Sequence, residues 1–126
     1  MKQIAVLVVS LLVLVLSALW EVKYIENSSR YILSDISYTK NQIQNDNYEE
    51  AKNHIENIKN TWGSIRPVWK LFIHHDKLDN IEKEIEVLKS YIDLQDKNEA
   101  ITSLEKLNFS LNNINEDEKL KVENIL

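Results

Sequence analysis

The chain has 126 residues, 28% of them charged, and its formal net charge at pH 7 is −5. This acidic balance argues against nucleic acid and against anionic lipid as surface ligands, because both need a basic face. The absence of cysteine excludes a disulfide framework, and a single glycine and a single proline leave little turn chemistry for strands. The composition therefore favours an all-α fold.

The first stretch of the chain, from Ile4 to Trp20, is apolar and carries no charge. As a helix of about 17 residues it would span roughly 25 Å, close to the roughly 30 Å hydrocarbon core of a bilayer. Three interpretations compete: an uncleaved membrane anchor, a cleaved signal peptide and a buried helix of a soluble domain. Cleavage after Ala18 would place Leu16 where a small residue is needed, and an apolar run of this length is rare in a small domain, so the anchor is favoured.

The charges on either side of this stretch predict its orientation. Lys2 and the α-amino group precede it, whereas the first residues that follow it, Glu21 to Glu26, are mixed in charge. The positive-inside rule then places the N-terminus in the cytoplasm and the rest of the chain outside the cytoplasmic membrane. We therefore predict a membrane anchor at residues 1–20 and an extracytoplasmic helical domain at residues 21–126.

A single long helix is predicted to continue from the anchor into the domain. Apolar and small residues recur at alternating spacings of three and four from Val22 to Ile43, and no helix breaker separates them from the anchor. We predict one helix over about residues 4–43. The polar segment 44–47 then turns the chain.

A second helix is predicted to begin at Asp46, which can form an acidic capping box with Glu49. Its apolar stripe runs through Gly63 and Pro67 to Phe72. Proline removes one helical hydrogen bond and disfavours helix in the residue before it. Because the stripe is unbroken, we expect a kink at Pro67; the alternative is a helix end there, followed by a second, short helix.

A third helix is predicted from about Asp76, and residues 93–97 then turn the chain into a fourth. Both helices show apolar residues at helical spacing, which predicts one buried face on each. The predicted buried residues are Leu78, Ile81, Ile85, Leu88, Ile92, Ala100, Leu104, Leu107, Leu111 and Ile114.

Asparagines at positions 112, 113 and 115 weaken the predicted end of the fourth helix. We therefore expect a short last helix from about residue 116 to residue 126. Its apolar residues Leu120, Val122 and Ile125 are predicted to be buried.

An offset of 49 residues relates the segment that begins at Ile43 to the segment that begins at Ile92. At this offset the pair Glu50–Ala51 matches Glu99–Ala100, and each copy reads as helix, short polar turn, helix. Any two helical hairpins share a helical period, so duplication and chance resemblance both stay open. In either case we predict two α-hairpins, packed as an antiparallel four-helix bundle or as a short helical-repeat solenoid.

Antiparallel packing of the first two helices would return the aromatic end of the second helix to the level of Trp20. Trp69 would then lie beside Val22, and aromatic rings are favoured at membrane interfaces. We therefore predict a membrane-interface belt made of Trp20, Tyr24, Trp69 and Phe72.

A set of residues spread along the chain carries a family resemblance. The set comprises Asp46 to Ala51, Trp62, Trp69, Phe72, His75, Leu78-Asp79, Ile81-Glu82 and Glu123 to Leu126. In these positions the chain resembles, over nearly its full length, a bacterial family described only as a domain of unknown function, with one N-terminal hydrophobic segment and a small helical domain. The chain departs from the family pattern at Tyr48, where a tryptophan is expected, and at Gly63 and Pro67, which bear on the straightness of the second helix.

The resemblance implies a membrane-anchored helical protein, and it carries no activity and no site residues. It also implies a multi-pass membrane protein as a partner, because such families often sit beside one. The sequence leaves the oligomeric state open.

The run His74, His75 and Asp76 contains ligand types that transition metals prefer. Adjacent residues on a helix point about 100° apart, and zinc needs three or four converging ligands, so the two histidines cannot easily share one ion. We expect His75 instead to lie at a helix C-terminus, where the helix dipole favours a positive charge. No metal, cofactor or catalytic site is predicted.

The acidic runs at residues 82–86 and 115–119 contain paired carboxylates, which glycosidases use. Such chemistry needs a cleft and a raised pKa, whereas lysines interleave these carboxylates on predicted solvated faces. The aromatic residues Trp62, Trp69 and Phe72 could line a ligand groove, but at this spacing core or membrane contacts are favoured.

Three functions stay open. We favour a non-enzymatic scaffold or accessory subunit that binds another membrane or envelope protein. The second is a ligand-sensing ectodomain that acts through a partner. The third is a metal-binding protein that uses His74, His75 and Asp76.

Overall fold

The computed structural model describes residues 1–125, and over that range the chain is all helical. The four helices are α1 (Lys2–Gln44), α2 (Tyr48–Trp69), α3 (His75–Asp93) and α4 (Lys97–Ile125). Each helix packs against the next, and α4 packs back against α1. The predicted all-α bundle of two α-hairpins is confirmed.

The helix α1 is continuous over 43 residues, as predicted, and is about 65 Å long. Its N-terminal part is exposed, and its buried residues begin only at Ile25. No residue of its most apolar window is buried, so this part of α1 is not the core helix of a soluble domain. By length and composition it is able to cross a membrane, a property that a signal sequence shares.

The predicted apolar stripes of the four helices meet in one core. Isoleucine and leucine at helical spacing supply most of it, with Ala51 and Ala100 at equivalent positions near the starts of α2 and α4. A small residue there allows close approach of the neighbouring helix. Every residue that the sequence predicted to be buried on α3 and on α4 up to Ile114 lies in this core.

The two hairpins turn in the same way. Each turn contains one residue with a left-handed backbone, Asp46 (φ 59°) in the first and Gln95 (φ 54°) in the second. In each, the next backbone N–H reaches back five residues, which is the hydrogen-bond pattern of a Schellman helix end. These bonds join Asn47 to Gln42 at 2.8 Å and Asp96 to Tyr91 at 3.0 Å.

The offset of 49 residues that relates the two turns also relates the buried positions. Matching pairs are Ser29 and Leu78, Ile32 and Ile81, Ile36 and Ile85, Thr39 and Leu88, Ile43 and Ile92, Ala51 and Ala100, Ile55 and Leu104, Ile58 and Leu107, Trp62 and Leu111, Ile65 and Ile114, and Trp69 and Glu118. The two hairpins are therefore equivalent in their turns and in many of their buried positions, and duplication of one hairpin stays a prediction.

The capping box predicted at Asp46 is wrong. The helix α2 begins at Tyr48, and its N-cap Asn47 makes no side-chain capping bond. Asp46 lies one residue too early, because its left-handed backbone is needed to end α1. Its carboxylate instead contacts the Lys97 ammonium at 2.7 Å and ties the two turns together.

Pro67 lies inside α2, which continues to Trp69 rather than ending at the proline. The proline has no N–H to bond to the carbonyl four residues earlier, which belongs to Gly63, and its ring crowds that carbonyl. No additional helix forms afterwards: Phe72 and Ile73 lie in the turn before α3.

The predicted break before a short last helix is wrong, because α4 runs unbroken from Lys97 to Ile125. The Asn115 side chain is held by the buried Ser29 hydroxyl of α1, at 2.8 Å, so this polar residue stabilises the helix pair. Val122 is buried as predicted, whereas Leu120 is 55% exposed and the prediction for it is wrong. The Ile125 side chain and Leu126 lie outside the described part of the chain.

Candidate functional site

One end of the bundle adjoins the apolar part of α1, and we call it the base: Trp20, Tyr24 and the α2–α3 turn at residues 70–74. The Trp20 ring stacks on Tyr24, with ring centres 5.4 Å apart, and meets the edge of Phe72 at 5.9 Å. The predicted antiparallel register, with Phe72 at the level of Trp20, is therefore confirmed.

Trp69 lies deeper in the domain than predicted. It is fully buried, and its indole nitrogen donates to the Ser28 hydroxyl at 2.8 Å rather than lying beside Val22. Helical side chains tilt toward the N-terminus of their helix, and the N-terminus of α2 is at the far end of the bundle from the base. The predicted membrane contact is therefore kept only for Trp20, Tyr24 and Phe72.

Leu71 adds an exposed apolar side chain to the base. It is 75% exposed and lies next to Phe72 in the turn, while Trp20 is 53% exposed. Sequence reasoning missed Leu71 because it falls off the apolar stripe of α2. Pro67, four residues earlier, is the sequence signal that favours a helix end near Leu71 and hence an exposed turn there.

Two carboxylates, Glu21 of α1 and Glu118 of α4, meet beside the base. Glu118 is almost fully buried and accepts a hydrogen bond from the Lys121 ammonium at 2.8 Å. Burial raises the pKa of Glu21 to about 7, and the hydrogen bond with Glu118 and repulsion by its charge act in the same direction, while Lys121 acts against them. Sequence reasoning missed this contact because Glu118 lies in a run predicted to be solvated.

The run His74, His75 and Asp76 forms a compact cluster at the start of α3. His74 is the N-cap, with a non-helical backbone, and His75 is the first residue of α3. The prediction that His75 lies at a helix C-terminus is therefore wrong. The objection that two adjacent histidines must diverge fails as well, because only one of them is helical and their rings stack at 4.7 Å.

This cluster has donor atoms close enough for a small cation. One nitrogen of each histidine and one carboxylate oxygen of Asp76 lie within 4.8 Å of one another. All three residues are exposed. His74 Nδ1 also accepts a hydrogen bond from the Asp76 backbone N–H at 3.4 Å, so the N-cap bond and a metal would compete for that atom.

Several carboxylates of the two acidic runs form ion pairs that join helices. In the first run, Glu82 pairs with Arg66 and Glu86 contacts Lys59 at 3.0 Å, so both carboxylates bind α2. In the second run, Asp117 contacts Lys77 of α3 at 2.9 Å. Glu82, Glu86 and Asp117 are exposed as predicted, whereas Glu84 is half-buried and Glu118 is almost fully buried, so the predicted solvated faces are wrong for those two residues.

A shallow groove lies between α3 and α4. Its larger part has a volume of about 310 Å³ and is lined by side chains of both helices, including Asn80 and Ser110. Glu84 reaches into the neighbouring part and accepts a hydrogen bond from the Ser110 hydroxyl at 3.0 Å. Burial raises the pKa of the Glu84 carboxyl, while its hydrogen bonds from Ser110 and Asn80 act against the shift.

A family model described as "Domain of unknown function (DUF4363)" matches residues 19–125 of the chain. This range contains the whole bundle and the base, and it begins where the apolar segment ends. Neither a curated relative nor a solved structure matches the chain. The resemblance noted from the residues is confirmed, and the chain belongs to the DUF4363 family of domains of unknown function.

Proposed function

We propose that this protein is a single-pass, membrane-anchored, non-enzymatic scaffold or accessory subunit. Its N-terminus lies in the cytoplasm, and its bundle lies outside the cytoplasmic membrane, where it binds another membrane or envelope protein. A multi-pass membrane protein is the proposed partner, because such a protein would be held beside the anchor.

The observation that carries this proposal is the continuity of α1. The apolar segment and the helix that supplies Ile25, Ile32 and Ile43 to the core are one helix without a linker. A flexible tether would let a domain search the space around it, whereas a continuous helix holds the domain at one height and orientation. Such rigid placement suits a protein that presents a fixed surface to a neighbour in the same membrane.

The base supports the proposed level of the bilayer surface. Trp20 and Tyr24 follow the apolar segment directly, and Phe72 contacts Trp20 from the other side of the hairpin. Aromatic rings of this kind are favoured at the headgroup level of membranes. In this arrangement the bundle stands on the bilayer surface, and α2, α3 and α4 stay outside it.

Co-purification from native membranes tests the proposed partner. The full-length protein, tagged and expressed at its native level, would be cross-linked in membranes and then isolated. We expect a second membrane or envelope protein to be recovered in a fixed ratio. A matched control is residues 1–24 fused to an unrelated helical bundle, which keeps the anchor and lacks the presented surface.

The outcomes separate the parts of the proposal. Recovery of the protein alone would contradict the accessory-subunit role. Recovery of the same partner with the control would assign the contact to the anchor rather than to the bundle. Release of the uncrosslinked protein by carbonate washing would contradict membrane anchoring itself.

Metal binding is a second candidate function, favoured by the convergence of the His74, His75 and Asp76 donor atoms within 4.8 Å. Imidazole and carboxylate suit a divalent transition metal such as zinc, with water completing the coordination. The exposed position of the cluster would leave such an ion open to a ligand from a partner.

Zinc titration of the purified full-length protein in detergent tests this candidate. Because a ligand that binds only the folded state raises stability, zinc should raise the melting temperature of the protein, and a chelator should reverse the rise. The variant His74→Ala should abolish the shift, whereas His54→Ala on α2, away from the cluster, should keep it. An equal shift in both variants would contradict the site.

A further inference from the structure

The face of α1 that points away from the bundle carries an exposed, uncharged stripe. Its members are Asn27, Tyr31, Ser34, Tyr38 and Asn41, and all five are exposed. They follow one another at spacings of four, three, four and three. Tyr31 is 72% exposed and Tyr38 is 56% exposed.

The seven-residue spacing of the stripe continues into the apolar part of α1. Steps of seven residues lead from Tyr31 back to Tyr24, Ser17 and Ser10, and the last two are the only hydroxyl residues of the apolar segment. In a coiled coil, where supercoiling keeps residues seven apart on one seam, both serines would fall on the seam that carries Tyr31. Small residues on one face of a membrane helix allow a second helix to approach closely.

We propose that two copies of this chain pair in parallel along this stripe of α1. Two copies anchored in one membrane with the same orientation have parallel α1 helices, and a contact between identical faces closes into a two-fold dimer. The spacing of the stripe is that of positions a and d in a left-handed coiled coil, with Tyr31 and Tyr38 at a and Ser34 at d. The two bundles then face outward, on opposite sides of the pair.

Charge complementarity supports a second copy as the occupant. In a parallel pair, position g of one helix faces position e of the next heptad on its partner. With Tyr31 at a, Arg30 lies at g and Asp35 lies at e, so two opposite-charge pairs form by symmetry. The Arg30 side chain is 69% exposed, and its contact with Glu26 in the single chain is long, at 3.4 Å.

This register is also compatible with the contacts that Asp35 and Tyr38 already make with α2. Asp35 keeps one carboxylate oxygen 3.6 Å from His54 of α2, and its side chain is still 29% exposed. The ring of Tyr38 packs on His54, with ring centres 4.6 Å apart, and this contact fixes the ring at the edge of the stripe. A pre-positioned aromatic ring loses less side-chain freedom when a partner binds.

Cysteine cross-linking in membranes tests the pairing, and the cysteine-free chain makes single substitutions unambiguous. Ser34→Cys places a thiol at position d, facing its own copy across the proposed axis. Ser90→Cys is the matched control, since Ser90 is an exposed serine on α3, which packs against α2 and α4. We expect mild oxidation of native membranes to give a disulfide dimer severalfold more readily for Ser34→Cys than for Ser90→Cys.

Equal dimer yields for the two variants, or no dimer for Ser34→Cys, would overturn the pairing. The pairing rests on the membrane anchoring in the proposed function, so carbonate washing is applied to the same membranes. Release of the chain would contradict anchoring, and with it the proposed function. Retention without cross-linking would contradict the pairing alone and leave the accessory-subunit role standing.

Charge exchange tests the register in the Ser34→Cys background. Arg30→Glu places like charges across the axis, and we expect it to lower the dimer yield about two- to fivefold for each pair lost. Adding Asp35→Lys restores opposite charges and should restore the yield, with a melting curve to show that loss of the His54 contact leaves the fold intact. Lys83→Glu makes the same charge change on α3 and should have no effect; failure of Arg30→Glu to differ from it would overturn the register.

Discussion

The indole nitrogen of Trp69 donates to the hydroxyl of Ser28 at 2.8 Å, and that hydroxyl donates in turn to the Tyr24 carbonyl at 2.6 Å. This chain of two bonds ties the last turn of α2 to α1 just above the base. Trp69 is fully buried, so its N–H has no access to water. The ring also meets Trp62 edge-on, with ring centres 5.5 Å apart, so two buried indoles pack together in the part of the hairpin nearest the base.

Removing the acceptor should be costly. We expect Ser28→Ala to lower the free energy of unfolding by about 1–3 kcal/mol, because it leaves the buried Trp69 N–H without a partner. Denaturant unfolding of the purified protein measures the change. Ser37→Ala, at an exposed serine of the same helix, should change stability by less than about 0.5 kcal/mol. Equal effects of the two substitutions would show that the hydrogen bond contributes nothing.

The left-handed backbone at Gln95 predicts a stabilising substitution. A non-glycine residue in this conformation is strained by roughly 1–2 kcal/mol. Glycine relieves this strain, but it loses more chain entropy on folding, which offsets part of the stabilisation. We therefore expect Gln95→Gly to raise the free energy of unfolding by about 0.5–1 kcal/mol. The control Gln95→Ala keeps the strain and should leave stability nearly unchanged. A loss of stability in Gln95→Gly would contradict the strain.

Pro67 and Gly63 weaken the last turns of α2 together. Pro67→Ala restores the N–H that can bond to the Gly63 carbonyl, so we expect stability to rise by about 1–2 kcal/mol. Gly63→Ala should add about 0.5–1 kcal/mol, because the added methyl group meets no atom within 4 Å. Thermal unfolding of the single and double variants measures both changes. Destabilisation by Pro67→Ala would show that the turn after Trp69 depends on the proline.

The contact between Glu21 and Glu118 predicts a pH dependence of stability. The pKa of Glu21 is raised from 4.5 to about 7 in the folded chain, so between these values the folded state binds more protons than the unfolded state. The free energy of unfolding should therefore fall as the pH rises from about 4.5 to about 7. Glu21→Gln should remove this part of the dependence, which denaturant unfolding at a series of pH values measures.

A matched control separates Glu21 from the other acids of the chain. Glu123→Gln makes the same change at an exposed residue near the end of α4. It should leave the pH dependence as in the natural protein. A Glu21→Gln profile that cannot be distinguished from the Glu123→Gln profile would contradict the raised pKa.

The aromatic base predicts the depth of Trp20. In vesicles that contain headgroup-labelled quencher lipid, we expect the fluorescence of the full-length protein to be quenched mainly through Trp20. Trp20→Phe should therefore remove most of the quenching. Trp62→Phe is the control and should keep it, because Trp62 is buried in the bundle. Unchanged quenching in Trp20→Phe would place the base away from the bilayer surface.

Helical periodicity was sufficient to predict the long helices and their buried faces. The buried face from Leu78 to Ile92 could be predicted without tertiary information, since isoleucine and leucine at three- and four-residue spacing lie on one face of a helix. The absence of a breaker before Ile43 likewise predicted that α1 is continuous. These features depend on the local chain and on burial alone.

The predictions that were wrong concern positions where a contact distant in sequence, or a particular backbone conformation, determines the structure. Asn115 was predicted to weaken the helix, because its hydrogen bond to Ser29 of α1 cannot be inferred from the local sequence. Asp46 was predicted to start a helix, because an aspartate does not mark a left-handed backbone position in the sequence as clearly as a glycine does. Glu118 was predicted to be solvated, because the sequence does not show that Glu21 lies beside it. In each case the partner is far away in sequence, or the conformation is not encoded by the side chain.

In the proposed membrane-anchored arrangement, the continuity of α1 couples the tilt of the anchor to the position of the bundle. The part of α1 beyond Trp20 is about 36 Å long, so a 10° change in anchor tilt moves its far end by about 6 Å. Tilt responds to the match between the apolar length of a helix and the thickness of the membrane around it. Because α1 has no break at Glu21, a thinner or thicker bilayer would, in that arrangement, shift the hairpin turns and present the same surface at a different angle.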